Sequence, residues 1–108
     1  MSNVHYIYRR KFDDNGKIVN NGGLTVAYRE IEPGMVEYAL AFCGPLDNFN
    51  KAYGRAKAGG RLNSARHKIV AMMNMNEFRN YAHTADPFAL QIGFFPEDTS
   101  NLLTSDVI

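Results

Sequence analysis

Two runs of alternating sequence, separated by a tight turn, constrain this chain more than any other feature. Leu24, Val26 and Tyr28 alternate with Thr25, Ala27 and Arg29; after Glu32-Pro33-Gly34, Val36, Tyr38, Leu40 and Phe42 alternate with Met35, Glu37, Ala39, Ala41 and Cys43. Successive side chains of an extended strand point to opposite faces, so each run sets its large apolar residues on one side of a sheet. Pro followed by Gly suits the turn between them. The two runs therefore read as antiparallel neighbours.

Upstream, residues 4–12 are rich in β-branched and aromatic residues and lead into Asp13-Asp14-Asn15-Gly16. Asn-Gly is the usual pair of a type I′ turn, so a first hairpin returning through Lys17-Ile18-Val19 is expected, with Asn20-Asn21-Gly22-Gly23 as a break before the next strand. Downstream, Gly44-Pro45 ends the last strand of this meander and Asp47 stands as the expected N-cap of a helix over residues 48–62. On that helix Phe49, Ala52, Tyr53, Ala56 and Gly60 form an apolar stripe, flanked by Lys51 and Arg55 on one side and Lys57 and Arg61 on the other. Each glycine of Gly59-Gly60 costs about 1 kcal/mol relative to alanine within a helix, which close packing against a neighbour would explain.

Residues 67–75 carry an apolar run without a decisive period. They are read as part of a second helical region, 64–83, which Asp86-Pro87 ends. Residues 88–95 read as a last strand and 97–108 as a loose, mildly acidic tail. The expected fold is α+β: one domain over residues 1–108, an antiparallel β-meander of three to five strands packed against one or two helices. Seven Phe and six Tyr among 108 residues supply the large apolar side chains such a core needs.

Catalytic and metal chemistry find little support. The three histidines lack a His-x-x-x-His spacing, and a single cysteine, Cys43, excludes an intrachain disulfide and a thiolate zinc site within one chain. Cys43 closes a strand pattern, where a free cysteine behaves as a small apolar residue. Asp13 and Asp14 form a turn, Glu30 and Glu32 flank a strand end, and neither glycine pair belongs to a phosphate-binding loop. A non-enzymatic protein without a cofactor is expected. The absence of a leader-like start and of a long apolar run points to the cytoplasm, which the resemblance described below makes that of a host cell.

Charge is the clearest functional signal. Residues 48–76 contain six basic residues and no acidic one, whereas residues 86–108 contain four acids and no base. Lys51, Arg55, Lys57, Arg61, Arg66 and Lys68 are accordingly the candidate ligand-binding residues, for a nucleotide, a nucleic acid or an acidic protein surface. A solvated helix face, paired with the acidic C-terminal residues or with a second copy, is the structural alternative. Tyr6, Tyr8, Tyr28 and Tyr38 suit either base stacking or core packing.

The run Phe42-Cys43-Gly44-Pro45-Leu46-Asp47-Asn48-Phe49, followed by Gly54-Arg55, Ala58 and Gly60-Arg61-Leu62, resembles small accessory proteins of phages and prophages. In these a strand ends in Cys-x-Pro-x-Asp-x-Phe and a helix then carries two Gly-Arg pairs. The resemblance is confined to residues 42–62. It implies a non-enzymatic, homo-oligomeric binder in which Arg55 and Arg61 are the recurring arginines. Several such proteins are counter-defence factors, some of which sequester cyclic nucleotide signals made by bacterial immune systems. The other reading is an inhibitor that docks on a host enzyme or defence complex.

Overall fold

The alternating runs fold into the centre of a four-stranded sheet. The computed structural model describes residues 3–92, in which β1 (His5–Phe12), β2 (Ile18–Glu32), β3 (Met35–Phe42) and β4 (Ile69–Ala71) form an antiparallel meander in that order. Three helices complete the described chain: α1 (Lys51–Leu62), α2 (Met75–Thr84) and α3 (Pro87–Gln91).

Register follows the predicted faces. Ile7 lies beside Val26 and Val26 beside Leu40, whereas Tyr6, Ala27 and Ala39 form the next row. The first set points to one face, where Ile7, Leu24, Val26, Tyr28, Val36, Tyr38 and Leu40 bury against Phe78 and Ala82 of α2 and Leu90 of α3. Phe78 is the hub, its ring 4.9 Å from Tyr38 and 5.1 Å from Tyr28. The Tyr38 hydroxyl donates to the Leu90 carbonyl at 2.6 Å, which satisfies the polar end of a fully buried ring. On the opposite face Ala27, Ala39 and Ala41 pack against Ala58 and Leu62 of α1. The sheet is thus the middle of three layers.

Several local expectations are corrected. Among the described residues only glycines have a positive φ, so Asn15 does not adopt the type I′ conformation. The turn closes instead through the Gly16 amide donating to the Asp13 carbonyl at 3.0 Å, with Gly16 at φ 79° and the Asp13 carboxylate accepting from the Asn15 and Lys17 amides. Residues 69–71 are a strand rather than helix: Ile69 and Ala71 lie opposite Tyr38 and Val36 and extend the same buried face. The second helix begins only at Met75, where Asn74 and Glu77 form a capping box. The expected strand over 88–95 is a helix through Gln91, because Asp86 caps it by accepting the Phe88 amide at 2.7 Å and Pro87 occupies its first turn. Residues 93–95 and the tail 97–108 lie outside the described residues.

Candidate anion-binding surface

A bulge in β2 builds the surface. Between the pairs Arg9–Leu24 and Lys11–Val19 one residue of β1 faces four of β2, and Gly22 and Gly23 take φ of 76° and 110° in the extra segment. A Cβ on Gly23 would stand 2.7 Å from the Phe49 ring and 2.9 Å from the Arg9 carbonyl. The bulge thus leaves β2 unbroken where a strand end was expected, and its backbone holds the loop after β3. The Gly22 amide donates to Asp47, the Phe49 amide to Asn20 and the Cys43 amide to Gly23, at 3.0, 2.7 and 2.9 Å. Half-buried Cys43 places its Sγ 3.3 and 3.5 Å from the Asp47 and Asn48 carbonyls.

These bonds deliver the Phe49 ring across the sheet to β1. Its centroid lies 6.2 Å from that of Tyr8, edge to face, and 4.5 Å from the Arg10 guanidinium carbon. Arg10 Nε is buried with no acceptor among the described residues.

Asn50 rather than Asp47 caps α1, its side chain accepting the Tyr53 amide at 2.9 Å. Asp47 falls three residues too early because its backbone is already tied to the bulge. The inward face of α1 is Gly54, Ala58 and Leu62; the expected stripe is displaced, with Ala52, Tyr53, Ala56 and Gly60 exposed and Phe49 preceding the helix. Steric demand decides this orientation, since Gly54 and Ala58 let α1 lie close on the alanine face of β2 and β3, and Leu62 fills the space at its last turn. Close packing holds at Gly54 and also at Gly59, where a Cβ would stand 3.1 Å from the Tyr6 hydroxyl; at Gly60 it would meet nothing.

The six candidate basic residues separate. Lys51 Nζ stands 5.1 Å from the Tyr8 centroid and Arg55 Nη1 donates to the Tyr8 hydroxyl at 3.0 Å. Lys57 lies on another flank, over Tyr53 at 5.3 Å, and with it lines a cleft of about 370 Å³ that also borders Phe49. Arg61 donates to the Leu40 carbonyl at 2.8 Å, and Lys68 pairs with buried Glu37 at 3.1 Å, alongside Arg29 at 2.6 Å. Burial alone would push the Glu37 carboxyl up; hydrogen bonds and charge from Arg29 and Lys68 outweigh it and hold the carboxyl below the usual range. Arg66 is exposed.

Lys51, Arg55 and Arg10 therefore meet around Tyr8 and Phe49, and none of the three forms an ion pair among the described residues. Of the four tyrosines considered for stacking, Tyr28 and Tyr38 are core residues, whereas Tyr6 and Tyr8 are half-buried on the α1 face. Arg10 and Phe49 lie outside the basic run, Lys51 to Lys68, that the sequence marks; the paired glycines, where a Cβ on Gly23 would meet the Phe49 ring, are the local sign of the close approach. Among the described residues no group of three His, Cys, Asp or Glu side chains is placed to hold a metal, and no helix is long and apolar enough to cross a membrane. No protein-family model, no curated protein and no solved structure gives a significant match to the chain.

Proposed function

We propose that this chain binds a phosphate-bearing ligand, a nucleotide or single-stranded nucleic acid, without chemical turnover, at the surface formed by Tyr8, Arg10, Phe49, Lys51 and Arg55. The observation that carries this reading is the meeting of three cations, two from one turn of α1 and one from β1, on two aromatic rings, with no acid paired to them among the described residues. Phosphates would neutralise the cations, and a ring face gives a base about 1–3 kcal/mol of stacking. The unmet donor of Arg10 Nε adds to this reading, because a buried N–H without an acceptor is unusual in a purely structural role. The likeness of residues 42–62 to phage accessory proteins supports a counter-defence setting in a host cytoplasm.

The test is fluorescence anisotropy with a labelled single-stranded oligonucleotide, titrated over salt and competed with mononucleotides. Lys51→Ala/Arg55→Ala should weaken binding and flatten the salt dependence by roughly 1.4 in the log–log slope, about 0.7 for each phosphate no longer neutralised. Unchanged affinity and slope in that variant would overturn the assignment. Effective competition by mononucleotides alone would identify a nucleotide binder.

Phe42, Leu46 and Phe88 favour a second reading, an inhibitor docking on a host protein. All three are exposed, and Phe42 borders a cleft of about 330 Å³ shared with Pro45 and Pro87. A nucleotide binder purified from cells retains nucleotide absorbance; a docking inhibitor does not.

A further inference from the structure

The outer edge of β1 is a row of open main-chain groups. The Cys43 amide donates to Gly23, so the odd-numbered residues of β3 face β2. Carried across the ladder, this makes Arg9–Leu24, Ile7–Val26 and His5–Tyr28 the hydrogen-bonded pairs between β1 and β2. The N–H and C=O groups of Tyr6, Tyr8 and Arg10 then point away from the sheet, and no strand among the described residues pairs with them. β1 is eight residues long and contains no proline; its cations are confined to Arg9-Arg10-Lys11, beside the bulge, so the edge from His5 to Tyr8 carries no charge to keep it from pairing.

We infer that β1 pairs antiparallel with β1 of a second copy, centred on Tyr8, to make a continuous eight-stranded sheet. Strand length and charge together select this register: sliding two residues toward the N-terminal end, to centre on Ile7, would set Arg10 opposite Val4, which lies outside β1. Centring on Tyr8 sets Arg9 opposite Ile7, Arg10 opposite Tyr6 and Lys11 opposite His5 of the second copy, so no cation faces a cation across the strands. Sliding two residues toward the C-terminal end of β1 would set Arg9 against Arg9. In the chosen register the outward groups of Tyr6, Tyr8 and Arg10 all find partners, and each Arg10 lies beside a Tyr6 ring on the α1 face.

The pairing changes the binding surface. α1 sits over β2 and β3, as the approach of Gly54 to Thr25 and the bond from Arg61 to Leu40 show. With strands about 4.8 Å apart, the two α1 helices would stand roughly 20 Å apart, leaving a groove about 10 Å wide between their surfaces. Both Tyr8 residues form its floor, with Lys51 and Arg55 of each copy along its walls. The groove's role as a bed for one polyphosphate strand rests on the proposed function; the pairing itself does not. The two cation clusters repel across the groove, so the pair should tighten when salt or a polyphosphate screens them.

The experiment combines sedimentation equilibrium of the full chain without nucleic acid with disulfide trapping. Sedimentation should give twice the 12.2 kDa chain mass at high concentration, with association strengthening as salt rises. In this register His5 and Lys11 are non-hydrogen-bonded partners with Cα atoms about 4.5 Å apart, within disulfide reach. His5→Cys/Lys11→Cys should therefore crosslink into dimers under mild oxidation, whereas each single variant stays largely uncrosslinked. Both positions are exposed and outside the binding cluster, so folding should be preserved. A single-chain mass across the whole concentration range, or equal crosslinking in a single variant, would overturn the inference. A dimer that ignores the oligonucleotide would leave the pairing intact and overturn the binding reading instead.

Discussion

Gly54 and Thr25 meet with no space for a methyl group between them: a Cβ on Gly54 would overlap Thr25 Oγ1 and stand 3.1 Å from Thr25 Cβ. Thr25 is itself buried to 1% exposure and cannot turn away. Gly54→Ala should therefore destabilise the protein, although alanine favours a helix by about 1 kcal/mol, because overpacking costs about 1–3 kcal/mol. Thermal unfolding should show the loss. Adding Thr25→Ala should return part of it, a coupling that a double-mutant cycle measures.

The bond from Tyr38 to Leu90 ties α3 to the centre of the sheet. Tyr38→Phe should cost about 1–3 kcal/mol, since the carbonyl loses a buried donor. Burial raises the Tyr38 hydroxyl above its ordinary value of 10.0, with the nearby Tyr81 adding to the rise. Its contribution is thus complete below that pH and lost as pH climbs toward the folded value. Urea midpoints should fall on the alkaline side for the wild type and fall less for Tyr38→Phe.

Glu37 behaves in the opposite sense. Burial would raise its carboxyl, but Arg29 and Lys68 outweigh burial and hold it below the ordinary 4.5. The stability it contributes is present above the unfolded value and is lost as pH falls through the folded one. Glu37→Gln should lower stability at neutral pH by about 1–3 kcal/mol and flatten the acid limb of a stability–pH curve.

Gly23→Ala separates strain from function. Gly23 and Gly34 both have positive φ, but a Cβ at Gly34 meets open space whereas at Gly23 it meets the Phe49 ring. Each substitution should cost stability. Only Gly23→Ala should displace Phe49 from Arg10 and Tyr8 and weaken oligonucleotide binding, as anisotropy would show at a temperature where both variants remain folded.

The sheet is legible in the sequence because alternation is a local signal: Leu24-x-Val26-x-Tyr28 and Val36-x-Tyr38-x-Leu40 name their faces without reference to the rest of the chain. Residues 69–71 are not, because three residues cannot carry a period, and their pairing is set by the distant edge of β3. α1 falls nearly where the sequence places it, but rotated about its axis. Apolar size suggests Phe49, Ala52 and Tyr53 as its inward face, whereas the alanines opposite admit only Gly54, Ala58 and Leu62. Asp86-Pro87 has the composition of a stop; α2 ends just before it, and it also starts α3. At the surface proposed for binding, Lys51 and Arg55 are visible as part of a basic run, but their partner Arg10 lies across a bulge that local pattern cannot foresee.

The two sides of this sheet are filled on opposite terms. Around Phe78 and Tyr38 the packing rests on volume, so truncation opens a void, whereas under α1 it rests on glycine and alanine, with Leu62 the one large fully buried side chain whose truncation would leave a void. A scan of all single substitutions should therefore divide along the sheet: the α2 side tolerates little that is smaller, the α1 side little that is larger. Stability alone therefore leaves the rim freest to vary, so any constraint found at the cationic side chains that stand there reports binding rather than packing.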